Sequence, residues 1–257
     1  MDYLIETNSL WLSNDMFIYS GFAYPNQRHS YYFHQICIPN EQKINLRGLN
    51  NSWQSYKIAF IPSGMIHETD KLNKFTLISF DPIIFGRFFY LYKEVNLKNP
   101  AVEISDFFDQ REIDDLLKMI QNNDSQIKIK IKEILSRILS KYDTQKIDSR
   151  IDYSIMKLNT SFENFTLKDI SKELNLSTSR FRHLFKEQTG TSLSSYKLWL
   201  KLIKSILHLG GVKNLIDSTY EGGFADQSHF SRIFKKTFGM SPSECLKNKN
   251  LKVVIFS

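Results

Sequence analysis

The sequence predicts an α+β protein of two domains, β-rich in its first hundred residues and all-helical in its C-terminal part. Three observations carry that expectation. Short apolar runs give way to a helical repeat near residue 109, the net charge changes sign along the chain, and a 13-residue segment recurs 49 residues later. The 257 residues suffice for two cores of roughly 100 to 150 residues each. Twenty Phe and twelve Tyr supply far more burial than a disordered chain carries. Cys37 and Cys245 are the only cysteines, which excludes a disulfide scaffold and a cysteine zinc site and fits a reduced cytosolic setting. Acidic residues stand where a signal peptide would be basic, and no stretch of about 18 apolar residues occurs, so secretion and membrane spanning are disfavoured.

The formal charge of +7 is uneven. Residues 1–149 hold 17 basic and 18 acidic side chains, whereas residues 150–257 hold 17 and 9. A basic domain joined to a neutral one suits a polyanion binder, because clustered Lys and Arg displace counterions from phosphates. A merely solvated basic surface has the same charge balance, so charge alone does not decide.

Within residues 1–108, the runs 17–23, 31–38, 58–61 and 75–80 are rich in aromatic and β-branched residues, and Pro, Asn, Gly and Ser clusters separate them. Short strands at this spacing predict a small barrel or sandwich. The long apolar run 83–92 leaves helix and strand both open. From Asp109 to residue 142 the period is helical. Ile113, Leu116, Leu117 and Ile120 make one face, ended by Asn122-Asn123-Asp124, and Ile127, Ile131, Ile134, Leu135, Ile138 and Leu139 make a second. The second stripe fits a helix packed on its own barrel, or one that pairs with its twin through Ile131, Leu135 and Ile138 in a homodimer. Polar residues 143–150 read as a linker to a domain over 151–250.

That domain contains the repeat. Phe181–Leu193, FRHLFKEQTGTSL, aligns without a gap on Phe230–Pro242, FSRIFKKTFGMSP, with five identities. Each copy has the parts of a helix-turn-helix: Thr166 caps a short helix, Asn175-Leu176 turns, and Ser177 caps a second helix that stops at Gly190. In the other copy Asp226 caps and Gly239 stops. Phe, Leu or Ile, and Phe at i, i+3 and i+4 make a buried face. The opposite faces carry Ser179, Arg180, Arg182, His183 and Lys186 in one copy and Gln227, Ser228, His229, Ser231, Arg232 and Lys235 in the other, residue types that reach base edges and phosphates. The segment SLSSYKLWLKLIKSILHL between the copies predicts a rod of roughly 25 Å, suited to holding two recognition helices near one turn of B-DNA apart.

From Phe165 to about Lys247 these residues resemble the DNA-binding domain of AraC/XylS-type transcriptional regulators, a paired helix-turn-helix joined by one long helix. The most specific match is GFADQSHFSRIFKKTFGMSP, Gly223–Pro242, with its Gly-Phe, Phe-x-Arg-x-Phe-Lys and Gly-x-Ser-Pro elements. The resemblance implies base contacts from Ser179, Arg182 and His183 and from Gln227, Ser228, His229 and Arg232. It implies phosphate contacts from Arg180, Lys186, Ser231, Lys235 and Lys236. It further implies double-stranded promoter DNA and RNA polymerase as partners, an activator's role and a bacterial cytoplasm. Three positions depart from the pattern: Ser218-Thr219 replaces Ile-Ala, Lys201 replaces an Arg, and Leu246 replaces an Arg. A serine in a core position predicts a second unit loosened by about 1 kcal/mol, and ordered by DNA, unless its hydroxyl finds a partner.

Pro62-Ser63-Gly64-Met65-Ile66-His67 is similar to the PxGxxH turn of cupin barrels, and regulators of this type often carry a cupin-like sensor. His29, His34 and Glu41 are too far apart for a cupin's close His-x-His pair, since residues five apart on a strand face opposite sides, so no metal is expected and His67 reads as structural. The resemblance implies a small organic effector, with Tyr31, Phe33 and His67 as candidate lining. No nucleophile stands with a base, and no cofactor is implied, so an enzyme is disfavoured. A cupin-type metal-binding protein, or an interaction adaptor with a vestigial DNA-binding domain, are the alternatives.

Overall fold

A computed structural model describes residues 8–13, 15–22, 28–40, 43–70, 74–81, 83, 99–140, 147–212, 214–238, 241–247 and 251–255. Ten strands are present among them: β1 (Asn8–Leu12), β2 (Met16–Phe22), β3 (His34–Pro39), β4 (Ile44–Arg47), β5 (Trp53–Tyr56), β6 (Ala59–Ile61), β7 (Glu68–Thr69), β8 (Lys74–Phe80), β9 (Val102–Glu103) and β10 (Leu251–Ile255). They form a seven-stranded sheet in the order β10-β1-β2-β8-β3-β6-β9 and a three-stranded sheet β5-β4-β7.

Side-chain alternation sends successive residues of the large sheet into different cores. On one face Trp11, Ile18, Ile36, Phe60, Ile78 and Phe80 meet two helices, α1 (Gln110–Gln121) and α2 (Ile127–Ser140). On the other, Cys37, Ala59, Ile61 and Phe75 meet Ile44, Leu46 and Tyr56 of the small sheet. Both faces of β3 are covered, which is why all six of its residues are buried. The two sheets thus pack face to face.

The second stripe resolves the choice left open for α2. Ile131, Leu135 and Ile138 are 0–1% exposed within the chain's own core against the large sheet. The expectation that they meet a twin helix is corrected here: packing on the chain's own sheet consumes that face. Lys128 and Lys132 on α2 pair with Asp15 at 3.2 and 2.7 Å, and Arg137 and Lys130 clasp Glu112 of α1. The run 83–92 lies, but for Ile83, outside the described residues, as do Glu41, Gly239 and half of the expected linker, residues 143–146.

The C-terminal helices are α3 (Ser149–Ser161), α4 (Leu167–Glu173), α5 (Thr178–Thr189), α6 (Leu193–Val212), α7 (Leu215–Glu221), α8 (Gln227–Phe238) and α9 (Pro242–Lys247). Their core is continuous with the large sheet. Leu10, Leu12, Phe17 and Phe33 share one cluster with Phe181, Tyr196, Trp199, Ile203, Phe230 and Phe234. Trp199 of α6 stands 5.0 Å from Phe33 and 6.1 Å from Phe17, ring centre to ring centre, so the long helix is also the floor on which the sheet rests.

Candidate nucleic-acid interface

Each expected cap among the described residues closes a helix. The Thr166 hydroxyl accepts from the Asp169 amide while Asp169 returns a bond to the Thr166 amide, a reciprocal box at the start of α4. Ser177 Oγ accepts from the Arg180 amide at 3.1 Å, and Asp226 Oδ1 accepts from the His229 amide at 2.7 Å. Gly190 ends α5 in the left-handed conformation at φ 74°. The turns differ by one residue. The left-handed position is Asn175 in the first unit and Gly223, at φ 77°, in the second, an offset of 48, whereas the caps Ser177 and Asp226 are 49 apart. Ala225 is the extra residue, and the register recovers before the recognition helices begin.

Each recognition helix buries its Phe-x-x-Leu/Ile-Phe face: Phe181, Leu184 and Phe185 in α5, and Phe230, Ile233 and Phe234 in α8. Ser179, Arg180, Arg182, His183 and Lys186 of α5 are all exposed. So are Gln227, Ser228, Arg232, Lys235 and Lys236 of α8, while His229 and Ser231 are half-buried. Ser179, Arg182, His183 and Lys186 share one helical face, as do Gln227, Ser228, Ser231, Arg232 and Lys235. Two candidates are engaged elsewhere. His229 stands edge-on to buried Phe224 at 5.4 Å, and the Lys236 ammonium sits 5.3 Å from the centre of the Tyr32 ring in the N-terminal domain. Hydrogen bonds from Arg150, with a smaller contribution from the charge of Arg180, hold the Asp148 carboxyl down at about 2.

The linker helix α6 has twenty residues and spans about 30 Å. It holds the second unit through contacts that the residue pattern did not announce. Ser218 is fully buried, and its hydroxyl donates to the Asn214 carbonyl at 2.6 Å. With its proton so used, it accepts from His208 Nδ1 of α6, 3.0 Å away. Thr219 donates to the Leu215 carbonyl at 2.8 Å. The departure at 218–219 therefore does not leave a bare hydroxyl in the core, and the expected loosening is corrected: serine replaces apolar packing with a bond across the helix pair. Lys201, the second departure, donates to the Gly223 carbonyl and so closes the turn of the second unit. Gly222 is required by proximity, since a Cβ there would lie 1.7 Å from Ser205 Oγ and 2.7 Å from the Lys201 carbonyl oxygen. Leu246 is 45% exposed and makes no such bond.

In the N-terminal domain, Tyr31 stacks on Phe33 at 5.3 Å and faces His67 at 5.6 Å. Phe33 is wholly buried in the core shared with α6, and His67 Nδ1 donates to the Met65 carbonyl at 3.0 Å, which fixes the Pro62–His67 turn. His34 accepts from the Ser63 amide at 3.0 Å and lies between Phe60 and Phe80, whereas His29 and His67 pack on each other, 4.5 Å apart. Burial pushes both His34 and His67 down to about 3, so both are neutral. Among the described residues no group of three metal-ligating side chains converges. Tyr31 brings Phe33 and His67 together, but the three rings pack through it rather than around a cavity. Cavities open elsewhere: one of about 520 Å³ where Asp15 and Asp81 face Asn159, Glu163, Leu200 and Ile203, and a groove between the small sheet and α1 lined by Asn45, Ser55, Lys57 and Phe108.

Comparison with known proteins agrees with this geometry. A helix-turn-helix domain family matches residues 170–248. Over 82 residues the chain is 38% identical to the arabinose operon regulatory protein of Escherichia coli K12, a match covering 32% of this chain and 28% of that protein. It is 35% identical over 82 residues to the Msm operon regulatory protein of Streptococcus mutans, covering 32% and 30%. The C-terminal domain is an AraC-type helix-turn-helix domain. The chain spans under a third of these relatives' lengths. Over the whole chain the fold is that of ToxT from Vibrio cholerae: the apo form of a lysine-to-alanine variant of ToxT superposes with a TM-score of 0.59 at 16% identity, covering 91% of this chain and 98% of ToxT. Wild-type ToxT with an unsaturated fatty acid bound superposes at 0.54 and 16%, covering 91% and 96%.

Proposed function

We propose that this chain is a sequence-specific transcription regulator, an activator that inserts α5 and α8 into successive major grooves of promoter DNA under the control of its N-terminal domain. The observation that carries the reading is the pair of capped recognition helices, each with a buried aromatic face and an exposed face of Arg, Lys, Ser, His or Gln, on one 20-residue helix. The regulatory relatives of the AraC-type domain support it, as does the basic balance of residues 150–257. Ser179, Arg182, His183, Gln227, Ser228 and Arg232 are the proposed base readers, and Lys186 and Lys235 the proposed phosphate contacts. His229 and Lys236 join them only once freed from Phe224 and Tyr32. No helix of the described residues is long and apolar enough to cross a membrane; a cytoplasmic location fits that and a role on DNA.

The N-terminal domain is the proposed sensor of a small organic effector. The 520 Å³ cavity between the domains is a better seat for it than the mutually packed Tyr31, Phe33 and His67, because an occupant there touches both domains. Association of two copies would use a surface other than the Ile131, Leu135 and Ile138 stripe of α2. Selection of bound sequences from a random duplex pool tests the reading. A regulator of this kind enriches a two-part motif with centres about 10 to 11 base pairs apart; no enrichment above the starting pool overturns it.

A further inference from the structure

The AraC-type domain ends at residue 248, yet the chain beyond it returns to the N-terminal domain as β10. β10 runs parallel to β1 in the register Asn8↔Leu251, Ser9↔Lys252, Leu10↔Val253, Trp11↔Val254 and Leu12↔Ile255. β1 would otherwise be an edge strand with unpaired amides and carbonyls. Val254, opposite the buried Trp11, packs against the core between the large sheet and helices α1 and α2. Three residues separate α9 from β10, so while the strand is paired the end of α9 lies within about 14 Å of it.

Two further contacts hold the same end of the second unit. Phe238, the last residue of α8, packs on Phe17 at 5.1 Å, and Lys236, two residues before the end of the recognition helix, sits over Tyr32. Five parallel pairings and, among the described side chains, the half-buried Val254 hold the strand, an attachment of the size that opens locally well below the global unfolding limit.

We propose that β10 is a latch. In cis it completes the N-terminal sheet, holds α8 against that domain with Lys236 turned away from DNA, and lowers DNA affinity until it peels from β1. The inference rests on the DNA-binding reading above. The test compares three full-fold proteins on one selected duplex: wild type, a deletion of residues 251–257, and Val254→Asp, which keeps the strand but places a charge beside Trp11. Both variants are expected to bind on the order of ten-fold more tightly, with faster hydrogen exchange of the amides of residues 8–12 and unchanged protection of β3 and β8. Equal or weaker binding by both variants overturns the latch. So does wild-type protection of residues 8–12 that grows with protein concentration, because the strand would then come from a second copy. Failure of all three proteins to bind any duplex overturns the DNA-binding reading instead, and the exchange data still report whether β10 sits on β1.

Discussion

Arg232 is exposed on α8, four residues after Ser228 and three before Lys235, and its guanidinium has no carboxylate partner among the described residues. A bidentate fork onto guanine is the contact such a residue makes best. Arg232→Ala is expected to cost about 1 to 3 kcal/mol on the preferred duplex and to relax preference at one base pair, read by titration against single-base variants. Lys235→Ala should weaken all sequences alike and lower the slope of log affinity against log salt by about 1. A different residue-scale test concerns His34. Its folded value of about 3 lies below the ordinary value near 6.5, so the unfolded chain binds the proton first as pH falls. The stability it contributes is complete above about pH 6.5 and is lost progressively from there toward pH 3. Denaturant unfolding at pH 7.5 and pH 5 should therefore show a smaller loss for His34→Phe than for wild type; an equal loss would mean that the fold does not lower the proton affinity of His34.

At the scale of elements, the second helix-turn-helix is held to α6 by the Ser218–His208 and Lys201–Gly223 hydrogen bonds, the Lys204–Glu221 ion pair and one missing Cβ. Removing either partner of the Ser218–His208 pair should lower stability by about 1 kcal/mol, and a double-mutant cycle between Ser218→Ala and His208→Ala should show a coupling of about 0.5 to 1.5 kcal/mol. Additive losses would show that the two groups act separately. Gly222→Ala forces a methyl into Ser205 and the Lys201 carbonyl, so a loss of about 1 to 3 kcal/mol in thermal or denaturant unfolding is expected. The recognition helices themselves were legible in the sequence, because caps, stop glycines and i, i+3, i+4 aromatic spacing are local signals. The Ser218–His208 bond was not: the two residues are ten apart on different helices, and only the fold brings them within 3.0 Å. The helical pattern of α2 was legible, but which surface its stripe would meet was not, since a self-packed face and a dimer face read alike.

For the molecule as a whole, the sequence's unevenness of charge and period correctly divided a sheet-bearing part from a helical one, and it hid how closely the two are joined. Phe17 and Phe33 read as strand residues and Trp199 as a helix residue, yet together they make the seam between the domains. β10 had a signal of its own, Leu251-Lys252-Val253-Val254-Ile255, rich in β-branched residues, but strand pairing across some 240 residues leaves no local trace. A paired reader held on one rod makes a claim about DNA that is stricter than binding. Duplex selection repeated with Arg182→Ala and with Arg232→Ala tests it most directly. Each variant is predicted to lose preference in a different half of the two-part motif, about one helical turn apart. Loss at the same base pairs in both variants, or at none in either, would contradict the account.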